Sequence, residues 1–144
     1  GGNGYVEDAP FARFYREAPV NSIWEGSGNV MCLDVLRALG RVPAVRDALV
    51  AEFAVARGAN RHYDAFVAAL AADLARTDLD EAGARTLTEN IALAMQGALM
   101  LRGAPAETAD AFCAARLSGD GGLSFGTLPA GLDLGRLTSR ALAA

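Results

Sequence analysis

The chain has 144 residues, 52% of them hydrophobic, and a net charge of -4; all thirteen of its basic residues are Arg. That balance offers no general basic face for nucleic acid, and no apolar run is long enough to span a membrane. Two isolated cysteines, Cys32 and Cys113, make neither a disulfide framework nor a metal site; in apolar helical contexts they read as small buried hydrophobes of a cytoplasmic protein. The length suits one domain that buries roughly two-thirds of its unfolded surface.

The opening Gly1-Gly2-Asn3-Gly4, without Met or leader, reads as the middle of a glycine-rich turn, so the chain is expected to be a fragment. Asp8 is placed to cap a short helix through Pro10 to Ala18. Phe11, Phe14, Tyr15 and Ala18 recur at helical spacing, which predicts one buried face, and Pro19 ends the helix. An extended run, Val20-Asn21-Ser22-Ile23, leads to Trp24-Glu25-Gly26-Ser27-Gly28-Asn29. From about Ser27 to Leu39 the apolar residues leave only a narrow polar stripe at Asp34 and Arg37, so this helix should be central, with Gly40 as its stop.

The next helix is predicted from Pro43 to about Arg57, ending near Gly58. Another runs from Asn60 or Arg61 to Leu74 and should bury Tyr63, Phe66, Val67, Leu70 and Leu74. Arg76-Thr77-Asp78-Leu79-Asp80 reads as a loop with a cap at its end. A long helix to about Leu101 follows, with Leu87, Ile91, Met95 and Leu99 spaced four apart on one face. Gly103 and Pro105 separate it from a helix to Leu117 that turns Ala109, Phe112, Cys113 and Leu117 inward. Gly119-Asp120-Gly121-Gly122 is a breaker cluster; Leu123 to Leu134 is left unassigned, and Arg136 to Leu142 forms a last short helix. The fold class is all-α, one bundle-like domain.

The segment from Trp24 to Asn29 carries the chemistry. A helix start attracts anions through its free N–H groups and its dipole, and Gly26 and Gly28 carry no Cβ to keep a planar ligand off the backbone. Glu25, held against such a ligand, is placed to abstract a proton. Taken alone, it would be a helix-start carboxylate worth about 0.3–1 kcal/mol, and Trp24 a core anchor. His62 has no partner at metal or triad spacing and reads as a surface or capping residue. Met31, Met95 and Met100 read as core filler.

Gly1-Gly2-Asn3-Gly4-Tyr5, Phe14-Tyr15-Arg16-Glu17-Ala18 and Ile23-Trp24-Glu25-Gly26-Ser27 resemble, in order and spacing, the C-terminal helical domain of the acyl-CoA dehydrogenase superfamily of flavoproteins. The run Trp24 to Leu36 and the later Phe125-Gly126-Thr127-Leu128-Pro129 resemble its DNA-alkylation-response (AidB-like) branch. The resemblance implies that residues 1–144 are one C-terminal helical bundle, and that an N-terminal helical domain and a middle β domain belong to the parent protein. It implies FAD as cofactor, an acyl-CoA thioester as substrate and a tetramer built on C-terminal helices. Glu25 falls where many members carry the catalytic base; Gly1 and Gly2 match the glycine-rich turn that approaches FAD. Trp24 matches an aromatic beside the flavin. Gly26 belongs to the same cofactor-binding run, in which Ser27 and Asn29 match a longer Thr and Gln that contact the cofactor, and no metal is implied.

Two functions follow. One is an oxidoreductase, an acyl-CoA dehydrogenase in which Glu25 takes the α-proton. The other is a flavoprotein of the alkylation-response kind that binds DNA with incidental dehydrogenation. The net charge does not support the DNA partner, although Arg57, Arg61 and Arg76 bracket one predicted helix. The isolated chain, lacking much of the pocket, is expected to be an inactive, oligomerising bundle without tightly bound FAD.

Overall fold

The computed structural model describes residues 1–144 other than Thr77, Leu79, Leu123, Ala143 and Ala144. Thr77 and Leu79 of the expected 76–80 loop, and Leu123 at the start of the unassigned tail, therefore lie outside the described residues. The ordered elements are helical: α1 (Gly2–Tyr5), α2 (Phe11–Glu17), α3 (Gly28–Arg41), α4 (Pro43–Ala54), α5 (Arg61–Ala75), α6 (Ala84–Gly103), α7 (Ala106–Arg116) and α8 (Leu134–Leu142). No strand occurs among the described residues, which bears out the all-α reading.

α6 is the central element, packed on α3, α4, α5 and α7. Its buried residues are Ala84, Leu87, Ala94, Gly97 and Ala98, small enough to let the neighbouring helices close in. The expected row Leu87, Ile91, Met95, Leu99 fails at its end, because Leu99 is 56% exposed. With 3.6 residues per turn, a strict four-residue step drifts about 40° each time. Leu99 thus lies about a third of a turn round from Leu87, and Ala94 and Ala98 take the inward positions.

The core between these helices is built on Leu39, Phe53, Tyr63, Val67, Leu70 and Leu74, with Cys113 and Leu117 from the last part of the bundle. Tyr63 is fully buried, and its hydroxyl donates to the Phe53 carbonyl at 2.9 Å. Asn60 caps α5 by accepting from the His62 and Tyr63 N–H groups at 2.9 and 3.3 Å. Both predicted thiols are free and buried, and burial pushes Cys113 up to about 11, which leaves it an inert hydrophobe at neutral pH. Phe66 and Phe112 pack against this core only partly buried.

Arg46 ties two helix ends to α4. Its Nε donates to the Leu39 carbonyl at 2.9 Å, and its Nη1 to the Leu74 and Arg76 carbonyls at 3.0 and 2.8 Å. The last carbonyls of α3 and α5 would otherwise lack intrahelical partners.

The N-terminal third departs most from expectation. Gly1 to Gly4 is not an open turn but the start of α1, closed by Gly4 N–H to Gly1 O at 2.9 Å and Val6 N–H to Gly2 O at 3.0 Å. Asp8 does not cap α2, which begins at Phe11 with Pro10 in the cap position. The expected buried face is open: Phe11, Phe14 and Tyr15 are exposed, and only Ala12 on α2 is buried. No element among the described residues covers that row. The run after Pro19 is not extended either. Residues Ala18–Ser22 form a 3-10 helix with Pro in its first positions, closed by Ser22 Oγ–H to Pro19 O at 2.8 Å.

α3 does not stop at Gly40 but continues to Arg41. Val42 precedes Pro43, and the residue before a proline is pushed out of the helical region, so proline rather than glycine ends this helix. Met31, expected in the core, is 50% exposed. α4 is shorter than expected, ending at Ala54 with turns running on to Gly58, which takes a positive φ of 83°.

Candidate functional site

The site residues are set by the junction between the 3-10 helix and α3. Ile23 and Trp24 N–H groups both donate to the Val20 carbonyl, at 3.0 and 2.9 Å, and Gly26 N–H donates to Ile23 O at 3.0 Å. The chain then reverses at Gly26, whose φ of 124° is a conformation glycine adopts freely and other residues resist. Ser27 takes the N-cap position in an extended conformation, and its carbonyl accepts from Met31 N–H at 3.1 Å.

This winding presents Trp24, 65% exposed, and an exposed Glu25 on one short turn. The Glu25 carboxylate makes no hydrogen bond or ion pair among the described residues. Ser27 makes no side-chain cap bond, and among the described residues neither its hydroxyl nor the first N–H groups of α3 have a partner. An exposed indole, free N–H groups, a hydroxyl and an amide form a donor set suited to a nucleotide carrying a flat ring and oxyanion or hydroxyl acceptors. On that chemistry, the residues present fit a flavin nucleotide.

One feature differs from expectation. Neither Gly26 nor Gly28 opens on free space for a ligand. A Cβ at Gly26 would stand 3.1 Å from Met31 Sδ, and one at Gly28 would stand 2.8 Å from Arg85 Nη2. The Arg85 guanidinium lies over Gly28, so a Cβ there would displace the end of that side chain. Gly1 and Gly2 belong to the start of α1, which packs on α2, and no backbone hydrogen bond among the described residues joins either glycine to Trp24–Asn29.

Arg85 is the site residue that sequence spacing did not indicate. It comes from the first turn of α6, 56 residues beyond Asn29, and donates from Nε and Nη2 to Asn29 Oδ1 at 3.1 and 2.8 Å. One signal in the sequence was available. A cation in the first turn of a helix opposes the macrodipole, so an Arg there calls for a partner elsewhere. A groove of about 470 Å³ runs alongside, lined by Asn29, Cys32, Leu33, Glu81, Ala82 and Arg85.

The arginines do not gather into a patch on α5. Arg57 and Arg61 stand at its start and Arg76 at its end, about 22 Å away along a 15-residue helix, and Arg76 is paired with Asp78 at 3.1 Å. Arg13, Arg16, Arg37, Arg102 and Arg136 are also in ion pairs. In the Glu7–Arg16 pair, the guanidinium holds the carboxyl below its usual range. His62 sits at the α5 start as expected, its ring Nε2 accepting from Arg61 Nε at 3.4 Å. No group of residues able to hold a metal occurs among the described residues, and no helix among them is long and apolar enough to cross a membrane.

Comparison with known proteins places these features in a family. Residues 1–40, which include every candidate site residue read from the sequence, match the family described as "Acyl-CoA dehydrogenase, C-terminal domain". The chain is 45% identical over 123 residues, 85% of its length, to the Escherichia coli (strain K12) protein named "Putative acyl-CoA dehydrogenase AidB". It is 54% identical over 37 residues, 26% of its length, to "Acyl-CoA dehydrogenase family member 11" of Caenorhabditis elegans. The chain spans 22% of the first relative's length and 6% of the second's. With a helical bundle in place and the Trp24–Asn29 junction inside the matched segment, the chain belongs to the acyl-CoA dehydrogenase family, in its C-terminal helical domain.

Proposed function

We propose that these residues form the C-terminal domain of an FAD-dependent acyl-CoA dehydrogenase, a larger cytoplasmic protein with N-terminal helical and middle β domains. The observation that carries the reading is the free Glu25 carboxylate, held beside Trp24 by the Gly26 reversal at the start of α3. When bound, FAD supplies the ring that accepts a hydride from the substrate β-carbon. Glu25 takes the α-proton of an acyl-CoA thioester, a role that needs its oxygen within hydrogen-bond reach of that proton. Trp24 packs against the ring system and keeps water from it, while Ser27 and Asn29 hold the nucleotide. Gly1 and Gly2 serve a flavin from the side of α1, as the glycine-rich turn that approaches the cofactor of a neighbouring subunit.

The surface supports assembly with further protein. A compact monomer of this mass, 14.9 kDa, exposes about 7,000 Å², whereas this chain exposes 9883 Å². The excess, about 2,900 Å², marks a chain less compact than a free monomer of its mass. Phe11, Phe14, Tyr15, Ile23 and Trp24 supply its apolar part. We assign it to the remaining domains and to neighbouring subunits of a tetramer.

The test uses the full-length protein. Acyl-CoA thioesters of graded chain length are added anaerobically and flavin absorbance is followed. Bleaching is expected with at least one thioester, slowed about 10²- to 10⁴-fold by Glu25→Gln. A bound flavin that stays oxidised with every thioester would overturn the reading.

A further inference from the structure

Asn29 is held by Arg85 in a way that decides what it can offer a ligand. Arginine has only donors, so the Asn29 atom accepting from both Nε and Nη2 is the carbonyl oxygen. Two charge-assisted bonds on one oxygen fix the amide plane. The Asn29 N–H2 group is left facing away and makes no hydrogen bond among the described residues. Arg85 cannot swing off without losing both bonds. On its other side it lies over Gly28, close enough that a methyl group there would stand 2.8 Å from Nη2 and 3.4 Å from Cζ. The guanidinium thus joins the starts of α3 and α6, bonded to Asn29 and lying over Gly28.

We propose that Arg85 is the positioning residue of the cofactor site, holding Asn29 so that it meets the flavin nucleotide as a donor only. The acceptor on the nucleotide is a phosphate or hydroxyl oxygen. This inference rests on the reading of Asn29 as a cofactor contact. It explains why a side chain shorter than the family's Gln serves here: Asn29 has fewer rotamers to lose, and Arg85 removes the remaining freedom of its amide.

The experiment is an FAD titration of flavin-stripped full-length protein, read by flavin fluorescence, with urea midpoints of the apoproteins alongside. Asn29→Ala and Arg85→Met are each expected to weaken FAD about tenfold. The double variant is expected to bind no more weakly than Asn29→Ala, since Arg85 acts through Asn29. Asn29→Asp keeps the bonds to Arg85 but loses the donor; it should weaken FAD at least tenfold with the apoprotein midpoint unchanged or raised. Arg85→Lys keeps one bond to the oxygen and is expected to fall between wild type and Arg85→Met, which covers the case where Met at 85 fails to fold. Full affinity in Arg85→Met beside a loss in Asn29→Ala overturns the proposal alone. So do losses that multiply in the double variant, or wild-type affinity in Asn29→Asp. Full affinity in Asn29→Ala overturns the reading of Asn29 as a flavin contact, and the proposal with it.

Discussion

Gly97→Ala pits helix propensity against packing, and the structure decides the sign. Gly97 lies in the interior of α6, where alanine would ordinarily gain about 0.5–1 kcal/mol. Its added Cβ, however, would meet Tyr63 Cδ2 at 2.9 Å, Leu117 Cδ1 at 3.1 Å and Tyr63 Cε2 at 3.2 Å. The Tyr63 ring has nowhere to go: it is fully buried, and its hydroxyl is tethered to the Phe53 carbonyl. Overpacking a rigid site of this kind costs about 1–3 kcal/mol, so the net effect is a loss of about 1–2 kcal/mol. Gly40 is the internal control. It is exposed in α3 with nothing within 4 Å of its Cβ position, and Gly40→Ala should stabilise by about 0.5–1 kcal/mol. Urea unfolding followed by far-UV circular dichroism measures both as shifts in midpoint of opposite sign. A Gly97→Ala protein as stable as Gly40→Ala would refute the claim that α6 is locked against Tyr63 through its glycine.

Alkaline pH should unfold the protein through its buried neutral acids. Burial raises Tyr63 from 10.0 to about 12 and Cys113 from 9.0 to about 11. Each contribution is complete below the unfolded value and disappears as pH climbs to the folded one. Stability should therefore decline from about pH 9 to about pH 12, by about 2–3 kcal/mol per group; a flat stability curve to pH 11 would contradict this. Tyr63→Phe removes the tyrosine part of that decline and costs about 1 kcal/mol at neutral pH, read from the same denaturation curves. Arg46→Met removes three hydrogen bonds to the ends of α3 and α5 and should cost about 2–3 kcal/mol. Faster amide hydrogen exchange should appear first in the last turns of those two helices.

The pattern of apolar residues determined the fold class and most of the bundle. From α5 to α7 the buried positions are local: Tyr63, Val67, Leu70 and Leu74 repeat at helical spacing, and Asn60 caps the helix from beside it. Periodicity reads such elements because the same residues specify both the helix and its buried face. The residues of the motif around Glu25 were legible because they lie in one short segment, but their backbone was not: the run before them is a 3-10 helix and not extended, and Gly26 is a chain reversal where the sequence suggested room for a ligand. What the sequence left undecided depends on partners far along the chain. Only the tertiary structure showed that Arg85 lies over Gly28 and bonds to Asn29, because that pairing joins the first turns of two helices and spans 56 residues from Asn29 to Arg85. It also showed that Phe11, Phe14 and Tyr15 have a helical face that no element among the described residues covers. A hydrophobic period states that a surface is to be buried and is silent on what buries it; that depends on which protein surfaces meet in three dimensions.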